Sequence, residues 1–155
     1  ISQEGGTVLW AGLFFFVQEL THFIFRPVGG SASDRYGQSI VIFCGMIFIA
    51  LGLCTITNFP LNFILITAIF LGIGQGLIFP SSVALLSKRS NDSHLGAAMG
   101  LYGALRNLGK VVGPIGAGIL LALFDYSTVF YIFAGLIIFS LVSVAPFWIK
   151  SNVKS

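Results

Sequence analysis

The sequence predicts an all-α integral membrane protein with five transmembrane helices. Fifty-two consecutive residues, from Tyr36 to Ser87, include no Asp, Glu, Lys, Arg or His. As one helix this run would measure about 78 Å, more than twice a hydrocarbon core of about 30 Å. The cluster Asn58-Phe59-Pro60-Leu61-Asn62 predicts a turn near its middle. Charged residues are only 8% of the chain, which excludes a soluble globular domain, and the net charge of +3 gives no indication of nucleic acid binding.

Five apolar segments are each long enough to cross a bilayer, and we predict that residues 1–155 form one transmembrane domain. The predicted spans are Thr7–Val28, Ser39–Asn58, Leu61–Leu86, Gly96–Leu123 and Thr128–Trp148. The connections on one side contain Arg35, Lys88, Arg89, Lys150 and Lys154, and those on the other contain only Glu4 and Asp125. Because cytoplasmic loops are enriched in Lys and Arg, we expect the N-terminus outside and the C-terminus in the cytoplasm.

The connection Gly29–Gln38 is predicted to be a cytoplasmic loop with a recognisable spacing. Gly30 is followed by three residues, then Asp34-Arg35, one residue and Gly37. Glycine permits positive φ and close helix approach, and a carboxylate can meet a helix N-terminus or an arginine. The spacing resembles the signature loop of the major facilitator superfamily, which implies a role in conformational switching. The alternative is an ordinary tight turn with a helix cap.

The fourth span has a regular pattern of small residues. Gly100, Gly109, Gly113-Pro114 and Gly118 resemble the antiporter motif of the drug-export branch of the same superfamily, with Ala117 as the one departure. Small residues four positions apart let another helix backbone come close. The alternative is ordinary helix packing without a role in antiport.

Polar residues interrupt the first span and are the best candidates for a functional site. Gln18, Glu19, His22 and Arg26 lie in an otherwise apolar segment, and the last three fall within an arc of about 60° on one helix face. Ionisable groups at this depth are costly and face a bundle interior or a water-filled cavity. A carboxyl group placed there can load and release a proton. The alternative is a structural pair, Glu19 with His22 or with Arg26.

Gln18, Glu19, His22 and Arg26 are predicted to line a path for protons and substrate, and two further polar residues belong to this predicted path. Gln75 lies in the third span, where an interhelical hydrogen bond is the alternative role. Arg106 lies in the fourth span, one turn before Lys110, and has no acid near it in that segment. For Arg106 we expect the guanidinium to snorkel toward the cytoplasm, and the alternative partners are Glu19, an anionic substrate or a backbone carbonyl.

The resemblance implies that the chain is part of one six-helix half of a twelve-span carrier. We expect it to correspond to spans eight to twelve, with the N-terminal half missing, and spans two to six are the alternative. It implies proton-coupled export of small, drug-like molecules by alternating access, in a bacterial inner membrane. The expected partners are the lipid bilayer, a small-molecule substrate, protons and the missing half. No enzyme activity, metal or cofactor is predicted. The competing functions are a metabolite or sugar symporter or uniporter, and a non-transporting membrane scaffold.

Overall fold

The computed structural model describes residues 2–58, 63–91 and 93–152, with side chains described for 9–56, 63–91 and 93–143. These residues form five α-helices in the predicted order. The helices are α1 (Ser2–Tyr36), α2 (Gln38–Asn58), α3 (Ile64–Arg89), α4 (Leu95–Leu123) and α5 (Tyr126–Asn152). The predicted turn at 59–62 lies outside the described residues, as do Lys154 and the side chains of Glu4 and Lys150.

Helices α1 and α3 run parallel, since Gly72 lies beside Gln18 and Gly29 beside Gly76. Helix α2 runs antiparallel to α3, with Gly45 beside Gly74 and Gly52 beside Leu71.

Arg35, Lys88 and Arg89 lie at the end of the bundle where α1 and α3 finish, which we call the basic end. Among the described residues, three segments are long and apolar enough to cross a membrane: Gln38–Ile56, Ile64–Arg89 and Tyr126–Ser143. They belong to α2, α3 and α5. That α1 and α4 also cross remains a prediction, since both have charged residues along their length.

Helix α3 lies between α1 and α2, and its glycines are the reason that both approach closely. A Cβ atom on Gly72 would lie 2.6 Å from the Gln18 carbonyl oxygen of α1. A Cβ on Gly74 would lie 2.5 Å from the side chain of Ile49 on α2. From α2, a Cβ on Gly45 would meet the Gly74 carbonyl oxygen at 2.9 Å. Successive glycines of α3 therefore face different neighbours, and each allows contact with backbone.

The connection between α1 and α2 is shorter than predicted. Residues 29–36, expected in a loop, are the last two turns of α1, and the reversal occurs at Gly37, whose φ is +94°. The hydroxyl of Ser31 donates to the Pro27 carbonyl oxygen at 2.8 Å, a bond that helical backbone geometry provides. Gly29 also packs inside this segment, because a Cβ there would lie 2.5 Å from the Gly76 carbonyl oxygen of α3. Packing on α3 thus keeps these small residues helical.

Helix α4 lies at the margin of the bundle. None of its residues is buried against the other described helices. It runs without interruption through Pro114. Apart from the neighbouring backbone of α4 itself, no atom of the described residues lies within 4 Å of a Cβ on any of its glycines: Gly96, Gly100, Gly103, Gly109, Gly113, Gly116 and Gly118. The predicted close packing at this motif is therefore absent among the described residues, and the close packing occurs at the glycines of α3 instead.

Candidate functional site

Glu19 and His22 form a pair on α1. The Nδ1 atom of His22 lies 3.4 Å from the Oε2 atom of Glu19, one helical turn away. The Glu19 side chain is 68% exposed and that of His22 only 16%. The imidazole thus lies between the bundle and the carboxylate. The carboxylate projects from the described helices, and in a membrane such a group must meet water or another protein segment.

His22 is fixed in place by the packing of α1 on α3. Its backbone nitrogen would lie 3.1 Å from a Cβ on Gly72, and its carbonyl oxygen 3.1 Å from a Cβ on Gly76. Within the described part of the chain, its buried Nε2 atom has no hydrogen-bond partner. Gln18, one turn earlier on α1, is half-buried, and its carbonyl lies against Gly72. The glycines of α3 therefore set the position of the predicted polar face.

Arg26 and Arg106 meet at a single aromatic ring. The guanidinium carbon of Arg26, on α1, lies 4.5 Å from the centre of the Phe79 ring on α3. The guanidinium carbon of Arg106, on α4, lies 4.6 Å from the same ring centre. Both distances are within the range for cation–π attraction. Three helices thus contribute to one cluster, which we call the arginine cluster: Arg26, Phe79 and Arg106.

The arginine cluster lies far from the basic end of the bundle. Arg26 and Phe79 are each ten residues from that end of their helices, and Arg106 is eleven residues from it. At 1.5 Å per residue these separations are about 15 to 17 Å. Within the predicted spans, Arg106 lies near the middle of its segment, whereas Arg26 lies two residues from the cytoplasmic end of Thr7–Val28. The guanidinium of Arg106 lies over the Phe79 ring, and its snorkelling toward the cytoplasm stays a prediction.

Phe79 has no place among the predicted site residues, which include Gln75 one turn before it on α3. Four residues of separation put Gln75 and Phe79 on the same helix face. Both are half-buried. The position of Phe79, one turn after Gln75, is a sequence signal for a role in the site. The sixteen Phe of the chain hide that signal, because one more Phe in an apolar span is indistinguishable from ordinary packing.

The other predicted motifs lie apart from these polar groups. Asp34 and Arg35 are exposed in the last turn of α1 at the basic end, and Arg35 lies 5.7 Å over the ring of Tyr36. Of the described side chains, none forms a salt bridge with Asp34. Gly30 is helical with open space beside it, and Gly37 alone adopts positive φ. Gly100, Gly109, Gly113, Pro114 and Gly118 extend along the open side of α4.

A cavity at the opposite end of the bundle is apolar rather than polar. It has a volume of about 430 Å³ and opens between α1, α2, α3 and α5. Aromatic side chains line it: Phe14, Phe15, Phe63, Tyr126 and Phe130. None of the predicted path residues lines it. In the part of the chain that the structure describes, no three His, Cys, Asp or Glu side chains could hold a metal ion together.

Comparison with known proteins gives a family match over nearly the whole chain. The family model described as Major Facilitator Superfamily matches residues 2–155. Multidrug resistance protein 3 of Bacillus subtilis (strain 168) is 31% identical over 108 residues, 68% of this chain and 21% of the relative. Multidrug resistance protein MdtG of Proteus mirabilis (strain HI4320) is 29% identical over 146 residues, 93% of this chain and 36% of the relative.

A plant relative is named as an anion transporter rather than for multidrug resistance. Probable anion transporter 4, chloroplastic, of Oryza sativa subsp. japonica is 31% identical over 112 residues, 70% of this chain and 19% of the relative. Across the three relatives, the aligned part thus spans from about a fifth to just over a third of their length.

Proposed function

Because the chain belongs to the major facilitator superfamily, we propose that it forms part of a carrier that exports small, drug-like molecules in exchange for protons by alternating access. Membership makes it a membrane-embedded segment of a transporter. Two relatives are named for multidrug resistance, which supports export as the direction of transport. We assign the chain to spans eight to twelve of a bacterial inner-membrane carrier, with the basic end in the cytoplasm.

The observation that supports proton coupling is the Glu19–His22 pair. A carboxylate 68% exposed from an apolar helix bundle cannot face lipid at low cost. In the proposed carrier it faces the space between the two halves, where substrates of such carriers bind. His22 contacts the carboxylate at 3.4 Å and can accept or donate the proton that Glu19 exchanges. Proton loading at this pair would change its charge, and with it the polarity of the path.

The test of proton coupling is Glu19→Gln in the whole carrier, reconstituted in liposomes with a pH gradient. Export is followed with two dyes, cationic ethidium and anionic fluorescein, together with the proton movement that accompanies it. Glutamine keeps the size and polarity of the side chain but cannot be ionised. We expect the variant to insert normally and to lose proton-coupled export of every dye that the natural carrier exports.

Glu4→Gln is the matched control, since it makes the same chemical change near the first residues of α1. We expect it to leave export unchanged. Proton-coupled export that survives in Glu19→Gln, or that is equally reduced in both variants, would remove Glu19 from the mechanism. If the natural carrier exports neither dye, the assignment to drug export is wrong.

The arrangement of the motifs supports two further parts of the proposal. Asp34 and Arg35, exposed beside the turn at Gly37, are available to contact the other half of the carrier as it rocks. The open glycines of α4 offer a surface on which another helix can pack closely. We propose that both regions meet segments of the carrier beyond this chain.

A second candidate is a symporter or uniporter for a metabolite, favoured by the relative named as an anion transporter. Ligand-triggered proton release from the purified carrier separates the candidates, because an exporter that exchanges substrate for protons releases protons when substrate binds. A uniporter does not, and a symporter takes protons up. A non-transporting scaffold is the third candidate. It predicts that bulky residues at Gly113 or Asp34 leave transport intact but break a complex.

A further inference from the structure

We infer that the arginine cluster binds the anionic group of the transported molecule, so that the substrate is an organic anion with a carboxylate, sulfonate or phosphate group. This inference rests on the proposed function, since it assigns the chemistry of the substrate to the same carrier. It begins from the geometry: two guanidinium groups, from α1 and α4, lie 4.5 Å and 4.6 Å from one ring on α3.

The positive charge of this cluster is not neutralised by the described part of the chain. Arginine stays protonated at physiological pH. Of the described carboxylates, Glu19 pairs with His22, and none forms a salt bridge with Arg26 or Arg106. Lys110, one turn beyond Arg106 on α4, is a neighbouring cation outside the cluster. Two guanidinium groups at one ring are like charges that repel each other, and an anion bound beside them offsets that repulsion.

The position of the cluster favours a ligand from solution over a lipid. Both arginines are exposed on the surface of the bundle, about 15 to 17 Å from its basic end. A phospholipid headgroup lies at the interface, whereas Arg106 lies ten residues, or about 15 Å, inside the predicted span Gly96–Leu123. Charges at that depth must face a polar cavity. A small anion that enters the path of the carrier can reach them there.

Phe79 gives the site its second chemical property. The ring lies against both guanidinium groups and limits where they can move. The planar guanidinium group of an arginine can donate two parallel N–H hydrogen bonds to two oxygen atoms of a carboxylate, sulfonate or phosphate. An aromatic surface next to these donors suits a ligand with a ring or another flat apolar part. The expected ligand is therefore an aromatic or flat organic anion.

The test is binding of radiolabelled benzoate to the whole carrier in nanodiscs of neutral phosphatidylcholine, measured by equilibrium dialysis. Unlabelled benzenesulfonate, phenyl phosphate and benzamide compete for the site. Benzamide has nearly the same shape as benzoate but no charge. We expect the anions to compete at least about tenfold more strongly than benzamide, since hydrogen bonds to charged groups are the stronger class.

Three variants separate the cluster from general charge effects. Arg26→Gln and Arg106→Gln each remove one guanidinium and are expected to weaken benzoate binding about tenfold or more, with little change for benzamide. Lys110→Gln removes a neighbouring cation that does not lie over the ring, and we expect less than about a threefold loss. Thermal unfolding of each variant checks that the carrier still folds.

The inference is overturned if no anion binds more strongly than benzamide, or if the preference for anions survives in Arg106→Gln. It is also overturned if Arg26→Gln lowers the unfolding temperature while no anion binds, because the cluster then pairs with an acid elsewhere in the carrier.

The binding measurement is repeated in anionic phosphatidylglycerol nanodiscs. Unchanged binding supports a soluble anion, and loss of benzoate binding assigns the site to a lipid headgroup and overturns its role in transport.

Failure of this inference is distinguishable from failure of the proposed function. Dye export that depends on Glu19 without any preference for anions leaves the proton-coupled carrier standing and removes the anion site. Anion binding that depends on Arg26 and Arg106, in a carrier that exports neither dye, supports the anion site and removes the assignment to drug export.

Discussion

The guanidinium of Arg106 on α4 lies 4.6 Å from the centre of the Phe79 ring on α3. The contact joins a helix without buried residues to the helix at the centre of the bundle. Because the same ring also contacts Arg26, its position affects α1 and α4 together. Phe79 is therefore both part of the candidate anion site and a structural link between three helices.

Phe79→Leu should loosen α4 without unfolding the rest of the bundle. Leucine keeps most of the apolar volume but loses two cation–π contacts, each worth about 0.5 to 2 kcal/mol. Hydrogen exchange followed by mass spectrometry on the whole carrier should show faster exchange of the α4 backbone amides.

Phe23→Leu is the control for this experiment, since the Phe23 side chain is largely exposed. It should leave α4 exchange as it is in the natural protein. Equal exchange of α4 in both variants would mean that the Phe79 ring does not stabilise this helix.

The sequence predicted the number and order of the helices because five long, mainly apolar segments are separated by short clusters of polar or turn-forming residues. It did not predict which glycines pack. A small residue shows that another backbone can come close, but which backbone does so depends on how whole helices are arranged. The glycines of α4 fit a motif and lie in the open, whereas Gly72, Gly74 and Gly76 contact α1 and α2.

Two local features also depend on packing between helices, which the sequence pattern alone does not specify. The first connection was predicted as a loop from its Gly, Ser and Asp content, yet α1 continues to Tyr36 because its small residues pack on α3. The meeting of Arg26 and Arg106 at Phe79 depends on the relative heights of three helices, which no short-range pattern specifies. Glu19 and His22, by contrast, are one turn apart on one helix, so their contact was foreseeable.

Gly72→Ala should destabilise the carrier, because the new Cβ would lie 2.6 Å from a backbone carbonyl oxygen of α1. Backbone cannot move aside as a flexible side chain can, so overpacking of about 1 to 3 kcal/mol is expected. The measurement is thermal unfolding of the carrier in detergent, where each kcal/mol corresponds to roughly 2 to 4 °C.

Gly12→Ala makes the same change on α1, where no other described part of the chain lies within 4 Å of a Cβ. It should leave the unfolding temperature unchanged or raise it slightly, since alanine is the better helix former by about 1 kcal/mol. If the two variants unfold at the same temperature, α1 and α3 are not in close contact at Gly72.

Gly37→Ala tests the turn between α1 and α2. The φ of +94° lies in a region that residues with a Cβ rarely adopt, and the strain is about 1 to 2 kcal/mol. Gly30→Ala, seven residues earlier in the same motif, adds its methyl group to helical backbone with no atom within 4 Å. Thermal unfolding should therefore separate the pair, with only Gly37→Ala lowering the midpoint. The opposite order would place the reversal of the chain at Gly30.

Gly109→Leu tests whether the open side of α4 contacts another part of the carrier. Among the described residues nothing approaches this glycine, so the large side chain costs the five helices no packing of their own. If another helix packs there, overpacking of about 1 to 3 kcal/mol should reduce transport roughly 5- to 160-fold. The measurement is dye export by the whole carrier in liposomes.

Gly135→Leu on α5 is the matched control, because that glycine is equally open but lies outside the α4 motif. Its effect on export should be small. Comparable losses from both substitutions would indicate a general intolerance of bulk at the bundle surface. Full export in Gly109→Leu would mean that this side of α4 faces lipid, since lipid chains adapt to an added leucine whereas a closely packed helix backbone cannot.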